Sequence, residues 1–360
     1  MVRSFTLRDF ALVRRLSEQG VSLHAESALT DNLQPFWGAL LSVVVRGEYP
    51  TLVLKSAEQY GSGFIQILFE EDRHHAHILY LSPSIEEEED SPQGKGTYSQ
   101  PDQSGGAWLS LLDQAVIEVG RHGIHSLVAE VDEKGPELPI LRRAGFAVYA
   151  RQDIWVLDSP KQNSGVIRES PVVLQPRQSS DDWDIQLFYA NTVPRLVQLV
   201  EPVPPVGKGD TWVLRDERNE LVAFVHINEG TIATWLRFFI HPSAEAAAGD
   251  IVQMAMNIIG SRSGRTVYCC VRRYEGWLPA ALEQTNFELW GSQAVMVKHT
   301  VQHARRDLPS MEMNIDKSGL PVSTPTIRSY PVLDRSSRMA GTEEKIQQKS
   351  ESPHRLFGVN

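Results

Sequence analysis

The chain has 360 residues, of which 41% are hydrophobic and 22% are charged, the balance of an ordinary globular protein. Its 35 Lys and Arg against 45 Asp and Glu give a formal net charge of −10, which argues against nucleic acid as the main partner because phosphate binding needs a basic surface. Neither a membrane-length apolar run, which needs roughly 18 residues, nor the apolar core of a secretion signal is present, so we expect a cytoplasmic protein without a membrane partner.

The second half of the chain repeats the plan of the first. The stretch 145–157 parallels 286–298 position by position, beginning with Gly-Phe in one copy and Asn-Phe in the other. An earlier strand ends in Pro-Ser in both halves, at Ser84 and at Ser243. A shared order of motifs along both halves predicts a repeated domain, in agreement with a length prior of about 150 residues per domain.

The period of the apolar residues predicts the same series of elements in each copy. In the first copy we expect a helical stretch around Leu12, Leu16 and Leu23, strands at 52–55, 63–69 and 75–81, an amphipathic helix at 107–121, a strand at 127–131, a short helix at 138–143 and a strand at 147–157. In the second copy we expect strands at 212–215, 221–227 and 231–240, a helix through Val252, Met256 and Ile259, a strand at 266–271, a helix near 280–284 and a last strand to Lys298.

These elements predict an α+β fold with two domains, each a mixed, mostly antiparallel sheet flanked by helices. We place the domains at residues 1–158 and 172–300, joined by a polar linker at 159–171. The first domain carries an acidic loop insertion at 85–105, and the aperiodic segment 301–360 is predicted to be a disordered tail.

The two cysteines, Cys269 and Cys270, are adjacent in a predicted strand. Neighbouring side chains of a strand point to opposite faces, so a disulfide between them is not expected. Their reduced state fits a reducing compartment.

The order of elements is similar to that of the GNAT acyltransferase domain: a three-stranded meander, a helix, a strand, a short helix that ends in Gly-Phe, and a final strand. The most specific piece is the run Leu-Arg-Arg-Ala-Gly-Phe at 141–146. The resemblance covers residues 6–157 and, more weakly, 172–300. It implies a tandem GNAT-like protein in which the motifs of both copies are degenerate.

The resemblance implies acetyl-CoA as a co-substrate. The strand that ends at Ser84, through Leu81 and Ser82, would run beside the pantetheine arm and would diverge from the next strand to open the acyl slot. The family's pyrophosphate loop aligns with residues 103–108, where Gln103 and Gly106 match, so the resemblance implies that the backbone of Gly105, Gly106 and Ala107 holds the phosphates.

Both loops depart from the family pattern. In the first copy Trp108 replaces the last small residue. The second copy has Glu245 and Asp250 at the ends of the aligned run, where a carboxylate would oppose phosphate. Asp250 is also a reasonable N-cap for the helix that follows, which explains it equally well.

The family's catalytic Tyr, four residues before the Gly of the Gly-Phe turn, is Leu141 in the first copy and Leu282 in the second. Tyr149 and Tyr80 are candidate substitutes as the general acid, although an aromatic residue that fills sheet packing is the more common case. The pairs His75 with His77 and Glu130 with Asp132 each share a strand face, and His77 and Glu130 are candidate bases for an amine substrate. No metal site is expected, because two His without a third ligand bind metal poorly.

The pair Arg272 and Arg273, beside Tyr274, could neutralise a phosphate, although exposed arginines after a strand are more often solvated. The resemblance implies an acetyl-CoA-dependent N-acyltransferase that acts on a small-molecule or peptide amine, with the first copy the more competent and the two copies in contact. The alternative is a non-catalytic binding or scaffold protein that has lost coenzyme binding.

Overall fold

The computed structural model describes residues 2–31, 35, 38–39, 50–55, 61–70, 74–85, 103–158, 172–199, 201–262 and 264–300. The segments predicted as linker and tail, and residues 86–102 of the predicted acidic loop, lie outside the described residues. Within the described part, no helix is both long and apolar enough to cross a membrane.

Strands and helices follow the predicted order closely. The strands are β1 Val2–Ser4, β2 Val21–Ser22, β3 Thr51–Leu54, β4 Gly63–Phe69, β5 His75–Ser82, β6 Ser126–Asp132, β7 Ala147–Leu157, β8 Gln175–Pro176, β9 Asp210–Arg215, β10 Leu221–Glu229, β11 Thr234–Ile240, β12 Val267–Arg272 and β13 Glu288–His299. The helices are α1 Phe10–Leu16, α2 Ala25–Thr30, α3 Gln103–Arg121, α4 Glu137–Arg143, α5 Asp182–Thr192, α6 Arg195–Gln198, α7 Ala248–Arg262 and α8 Leu278–Gln284.

The described strands form one continuous sheet across both copies. Its order is β1-β3-β4-β5-β6-β13-β7-β12-β11-β10-β9-β8, with β2 paired to β5. Among the described strands, only β5 with β6 and β11 with β12 run parallel. This arrangement confirms the predicted α+β class and the mixed, mostly antiparallel sheet.

The last strand of each copy lies in the other copy's part of the sheet. β13, from the second copy, pairs with β6 of the first, with Val295 opposite Glu130. β7, from the first copy, pairs with β12 of the second, with Ile154 opposite Cys270. The sequence pattern predicts that each copy completes its own sheet. The last strands of the two copies have the same apolar period, however, and the backbone hydrogen bonds of a strand do not depend on its side chains. Either copy can therefore accept either strand.

The exchanged strands also supply side chains to the two main cores. Ala294 and Met296 of β13 pack in the core beneath α3. Trp155 and Leu157 of β7 pack in the core beneath α7. Each core therefore contains side chains from both copies.

One predicted helical position is extended instead. Helix α1 ends at Leu16, and Leu23 follows the short strand β2 rather than continuing the helix. Gly20 permits this turn, because a Cβ at this position would lie 2.4 Å from the Tyr80 ring. The backbone amide of Gly20 donates to the Tyr80 hydroxyl at 2.8 Å, which holds the segment against β5.

Candidate functional site

Each copy contains a V-shaped gap between its two parallel strands. β5 and β6 pair only from His75 to His77, and the strands separate beyond that point. β11 and β12 likewise pair only from Thr234 to Leu236. Two such gaps agree with the resemblance drawn from the sequence.

The gap of the first copy is filled by the chain itself. Val21 and Ser22 of β2 pair with Leu81 and Tyr80 on the side of β5 that faces the gap. The Leu23 amide then donates to the Leu79 carbonyl at 3.1 Å, and the Leu23 carbonyl accepts from the Glu130 amide at 2.8 Å. Leu23 is 1% exposed and belongs to the first core. An extended ligand cannot share these backbone groups with β2.

The predicted pyrophosphate loop of the first copy belongs to helix α3. Gly105 and Ala107 are buried and Gly106 is half-buried within its first turns, while the side chain of Gln103 lies outside the described residues. Trp108 is fully buried and its indole donates to the Pro83 carbonyl at 2.7 Å. The tryptophan at the unmatched position is therefore a core residue.

Ser82 and Tyr80 have structural roles in the same half. The Ser82 hydroxyl is buried and donates to the Leu16 carbonyl at 2.7 Å. The Tyr80 hydroxyl donates to the Ser17 carbonyl at 2.8 Å, and burial raises its pKa. Tyr80 packs in the core between α1 and β5, away from the other candidate acids and bases.

The gap of the second copy is not filled in this way. Beyond Leu236, no described strand pairs with the side of β11 that faces β12. A 3-10 helix at Pro242–Ala247 precedes α7, and its first turn is capped by the ring of His241, which accepts from the Ser243 amide. Asp250 lies in the first turn of α7, so the prediction that it is the N-cap was wrong.

A cavity of about 100 Å³ lies on one face of the sheet, between the two gaps. It is lined by both copies. The first copy contributes the polar side chains His24, Glu26, Glu70, His77, Glu130 and Tyr149. The second copy contributes Glu201, Lys208, His226, Arg237, Cys270 and Arg272.

A buried ion triad forms one wall of this cavity. Glu201 accepts from Arg237 and from Arg272, each at 2.5 Å. Arg237 lies on β11 and Arg272 on β12, so Glu201 bridges the two strands where they diverge. Burial alone would raise the pKa of Glu201, but the two guanidinium groups outweigh burial and hold it at about 2.

The opposite wall is acidic. One oxygen of the Glu130 carboxylate accepts from the Ala25 amide at 2.6 Å. Glu70 lies 3.6 Å from His77 Nε2. Burial and the nearby His24 lower the pKa of His77 to about 3, so its ring is neutral and does not offset the Glu70 charge.

A third set of polar residues lines the cavity between these two walls. Glu26 accepts from Asn228 at 2.5 Å and lies 3.8 Å from the Lys208 ammonium. His226 is buried, and burial lowers its pKa to about 4, so it is also neutral near pH 7. Cys270 is a buried free thiol whose pKa is raised to about 12 by burial.

Glu275 follows β12, next to the gap of the second copy. Its carboxylate accepts from the Arg272 amide at 3.3 Å. Burial raises its pKa to about 7, and Arg237 and Arg272 only partly oppose this effect. A carboxyl group with such a pKa exchanges a proton readily near neutral pH.

Three of the four predicted catalytic residues lie together. His77, Glu130 and Tyr149 all line the cavity, and the Tyr149 hydroxyl is 2.6 Å from Nε2 of His299, an exposed residue at the end of β13. Tyr80 does not reach it. Leu141 and Leu282, at the family's Tyr position, are fully buried core residues.

Several cavity residues were missed from the sequence. Two arginines after a strand favour solvated side chains, but Arg272 is buried, whereas Arg273 is exposed and pairs with Glu133 and Asp153. Arg237 carried a usable signal, because an arginine within an otherwise apolar strand is seldom buried without a partner. The sequence around Glu201 gives no sign that this residue is buried, since its two arginine partners are distant in sequence.

The described residues hold no group of three His, Cys, Asp or Glu side chains placed to share a metal ion. No protein-family model matches the sequence, and a search of curated proteins finds no similar sequence.

Solved structures with a similar fold do exist. A GCN5-related N-acetyltransferase from Sphaerobacter thermophilus matches with a TM-score of 0.50 and 9% identity, over 84% of this chain and 96% of that chain. The glucosamine N-acetyltransferase region of a fungal multi-domain β-N-acetylglucosaminidase matches with a TM-score of 0.50 and 14% identity, over 83% of this chain and 38% of that chain. A tandem GNAT protein from the clavulanic acid biosynthesis pathway matches with a TM-score of 0.47 and 13% identity, over 84% and 99%.

The two matches with a TM-score of 0.50, together with the two meanders, their diverging parallel strands and the Gly-Phe turn, lead to one conclusion about the fold. The chain has the GNAT fold, present twice in tandem and joined into a single sheet.

Proposed function

We propose that the protein is an acetyl-CoA-dependent N-acyltransferase in which the second copy holds the coenzyme and the shared cavity holds the amine. The observation that carries this proposal is the contrast between the two gaps. Leu23 and β2 occupy the first gap, whereas the corresponding side of β11 has no described strand beside it. The pantetheine arm is an extended chain with amide groups, so it suits an unpaired strand edge.

This assignment reverses the expectation that the first copy is the more competent. The backbone of Leu81, which was expected to accompany the pantetheine arm, is already paired with Val21. The segment that fills the first gap also contributes to the shared cavity. His24 and Glu26 follow shortly after Leu23, and both line this cavity.

The cavity residues suit the chemistry of amide formation. The attacking amine must lose a proton as the new N–C bond forms, and the departing thiolate must be protonated as the C–S bond breaks. Glu130 is the proposed base, because the neutral His77 ring with its lowered pKa is a weak proton acceptor. Glu275, beside the second gap, is the proposed acid in place of the missing tyrosine.

The phosphate end of the coenzyme fits less well than the pantetheine arm. The 3-10 helix before α7 uses backbone amides within itself, including Ala244 to the His241 carbonyl at 2.9 Å. Glu245 and Asp250 add negative charge at the same place. This observation favours a second candidate function, a non-catalytic binding protein that uses the cavity without a coenzyme.

Titration calorimetry with acetyl-CoA decides between the two functions. We expect saturable binding with one site per chain, and we expect Glu245→Gln to raise the affinity several-fold at low salt, because removing a carboxylate near the phosphates removes repulsion of about 1 kcal/mol. The gain should shrink in 0.5 M salt. Glu288→Gln, an exposed carboxylate on β13, is the matched control and should leave the affinity unchanged.

Absence of binding at millimolar acetyl-CoA would reject the enzyme and leave the binding protein. Binding that is insensitive to Glu245→Gln would reject the assignment of the coenzyme to the second copy.

The role of Glu275 is tested by thiol release from acetyl-CoA in the presence of an accepted amine. We expect Glu275→Gln to lower kcat roughly a hundredfold while acetyl-CoA binding stays within twofold, since a general acid acts only in the reacting complex. In the parent protein kcat should also fall above about pH 7, where Glu275 loses its proton, and the variant should lack this dependence. An unchanged pH profile would remove Glu275 from the mechanism.

A further inference from the structure

The charges of the shared cavity are unevenly distributed, and this distribution indicates which charges a ligand would carry. On the wall formed by the first copy, Glu70 and Glu130 form no ion pair with a Lys or Arg among the described residues, and His77 beside Glu70 is neutral. A carboxylate without an ion-pair partner in a partly enclosed space favours a cationic ligand.

The wall formed by the second copy has the opposite excess. Arg237 and Arg272 share the carboxylate of Glu201, and the nearby Glu275, whose pKa burial raises to about 7, carries only part of a negative charge near neutral pH. The Arg272 side chain is 7% exposed, and its Nε atom has no hydrogen-bond partner in the described part of the protein. A buried guanidinium donor without an acceptor is costly, and a carboxylate ligand would remove that cost.

The distance between the two walls limits the size of this ligand. Glu130 on β6 and Arg272 on β12 are separated by β13 and β7, which is three strand spacings or roughly 14 Å between backbones. The side chains reach inward from both strands and leave space for a molecule of only a few bonds. Pro202, Pro204 and Pro205 also line the cavity and add rigid apolar groups to it.

We propose that the cavity binds a small amino acid, with its ammonium group at Glu130 and Glu70 and its carboxylate at Arg272. The proposal goes beyond the proposed function, because the binding site exists whether or not acyl transfer occurs. The ammonium group lies against the Glu130 carboxylate. The carboxylate of the amino acid lies towards the second gap and completes the hydrogen bonding of Arg272.

Calorimetry on the full chain tests the proposal with glycine, β-alanine and γ-aminobutyrate, which differ in the distance between their two charges. Propylamine and propionate are the matched probes that carry one charge each. We expect at least one amino acid to bind ten times more tightly than both single-charge probes, because each wall contributes one charge-assisted hydrogen bond or more. Equal affinity for all five probes, or no saturable binding at 50 mM, would overturn the proposal.

Glu130→Gln should weaken amino acid binding about tenfold while it keeps an oxygen that accepts from Ala25. Glu283→Gln, an exposed carboxylate on α8, removes the same charge far from the cavity and should have no effect. Equal loss in both variants would mean that the amino acid does not bind at Glu130.

These outcomes separate the two proposals. Acetyl-CoA binding without amino acid binding rejects only the amino acid site. Amino acid binding without acetyl-CoA binding supports the cavity and rejects the acyltransferase.

Discussion

Replacing Glu201 with Gln is expected to destabilise the protein by about 3–5 kcal/mol, because it leaves two buried guanidinium groups without a counter-charge. The melting temperature in calorimetry should fall by roughly 6–15 °C. The exposed Glu217→Gln is the control and should shift it little. Adding Arg237→Met to Glu201→Gln should recover part of the loss, since it removes one uncompensated charge.

The same triad makes stability depend on pH in a defined direction. The pKa of Glu201 is held at about 2 in the folded protein, below the ordinary value of 4.5. Its contribution is therefore complete above about pH 4.5 and is lost as the pH falls towards 2. Buried His77 acts in the same direction, because the unfolded chain takes up its proton first as the pH falls below 6.5. Glu275, whose pKa is raised to about 7, acts in the opposite direction only between about pH 7 and pH 4.5. A melting temperature that stays flat from pH 4.5 to pH 2.5 would contradict this account.

Separating the two copies is expected to unfold both of them. A fragment of residues 1–158 lacks β13, which pairs with β6 and supplies Ala294 and Met296 to the first core. A fragment of residues 172–300 lacks β7, which pairs with β12 and supplies Trp155 and Leu157 to the second core. Each lost large apolar side chain removes about 1.5–3 kcal/mol of burial, which is a large share of a domain's stability.

Circular dichroism and proton-nitrogen NMR spectra of each fragment should show an unfolded chain, and equimolar mixing should restore the folded spectrum. A protease site within residues 159–171 provides the control, because cleavage there leaves all strands present and should preserve the fold. A cooperative thermal transition in either isolated fragment would show that the exchanged strands are dispensable.

Much of the fold could be predicted from local patterns. The apolar period of β4 and β5, the amphipathic helix α3 and the Gly-Phe turn after α4 depend on residues near one another in sequence. Leu23 shows the limit of such patterns. A leucine spaced for a helix also fits an extended chain, and only the open side of β5 decided which conformation it takes.

The candidate site was predicted in part for the same reason. His77 and Glu130 were found because each lies on a strand with a recognisable face. Glu201 and Arg272 come together from positions that share no pattern, and their charges matter only because both are buried. The two gaps differ because a strand lies in the first and not in the second. This difference depends on the pairing of β2 with β5, which no local pattern predicts.

By itself, the sequence determined that the chain contains two copies of one α+β unit, because apolar periodicity and turn residues act over short distances along the chain. The tertiary structure alone decided that the copies exchange their last strands, that β2 fills the first gap and that residues of both copies line one cavity. These features depend on which strand edges and which charged side chains come together after folding. Such contacts join residues that are distant in sequence, so the packing of the whole core determines them and no local stretch of sequence does.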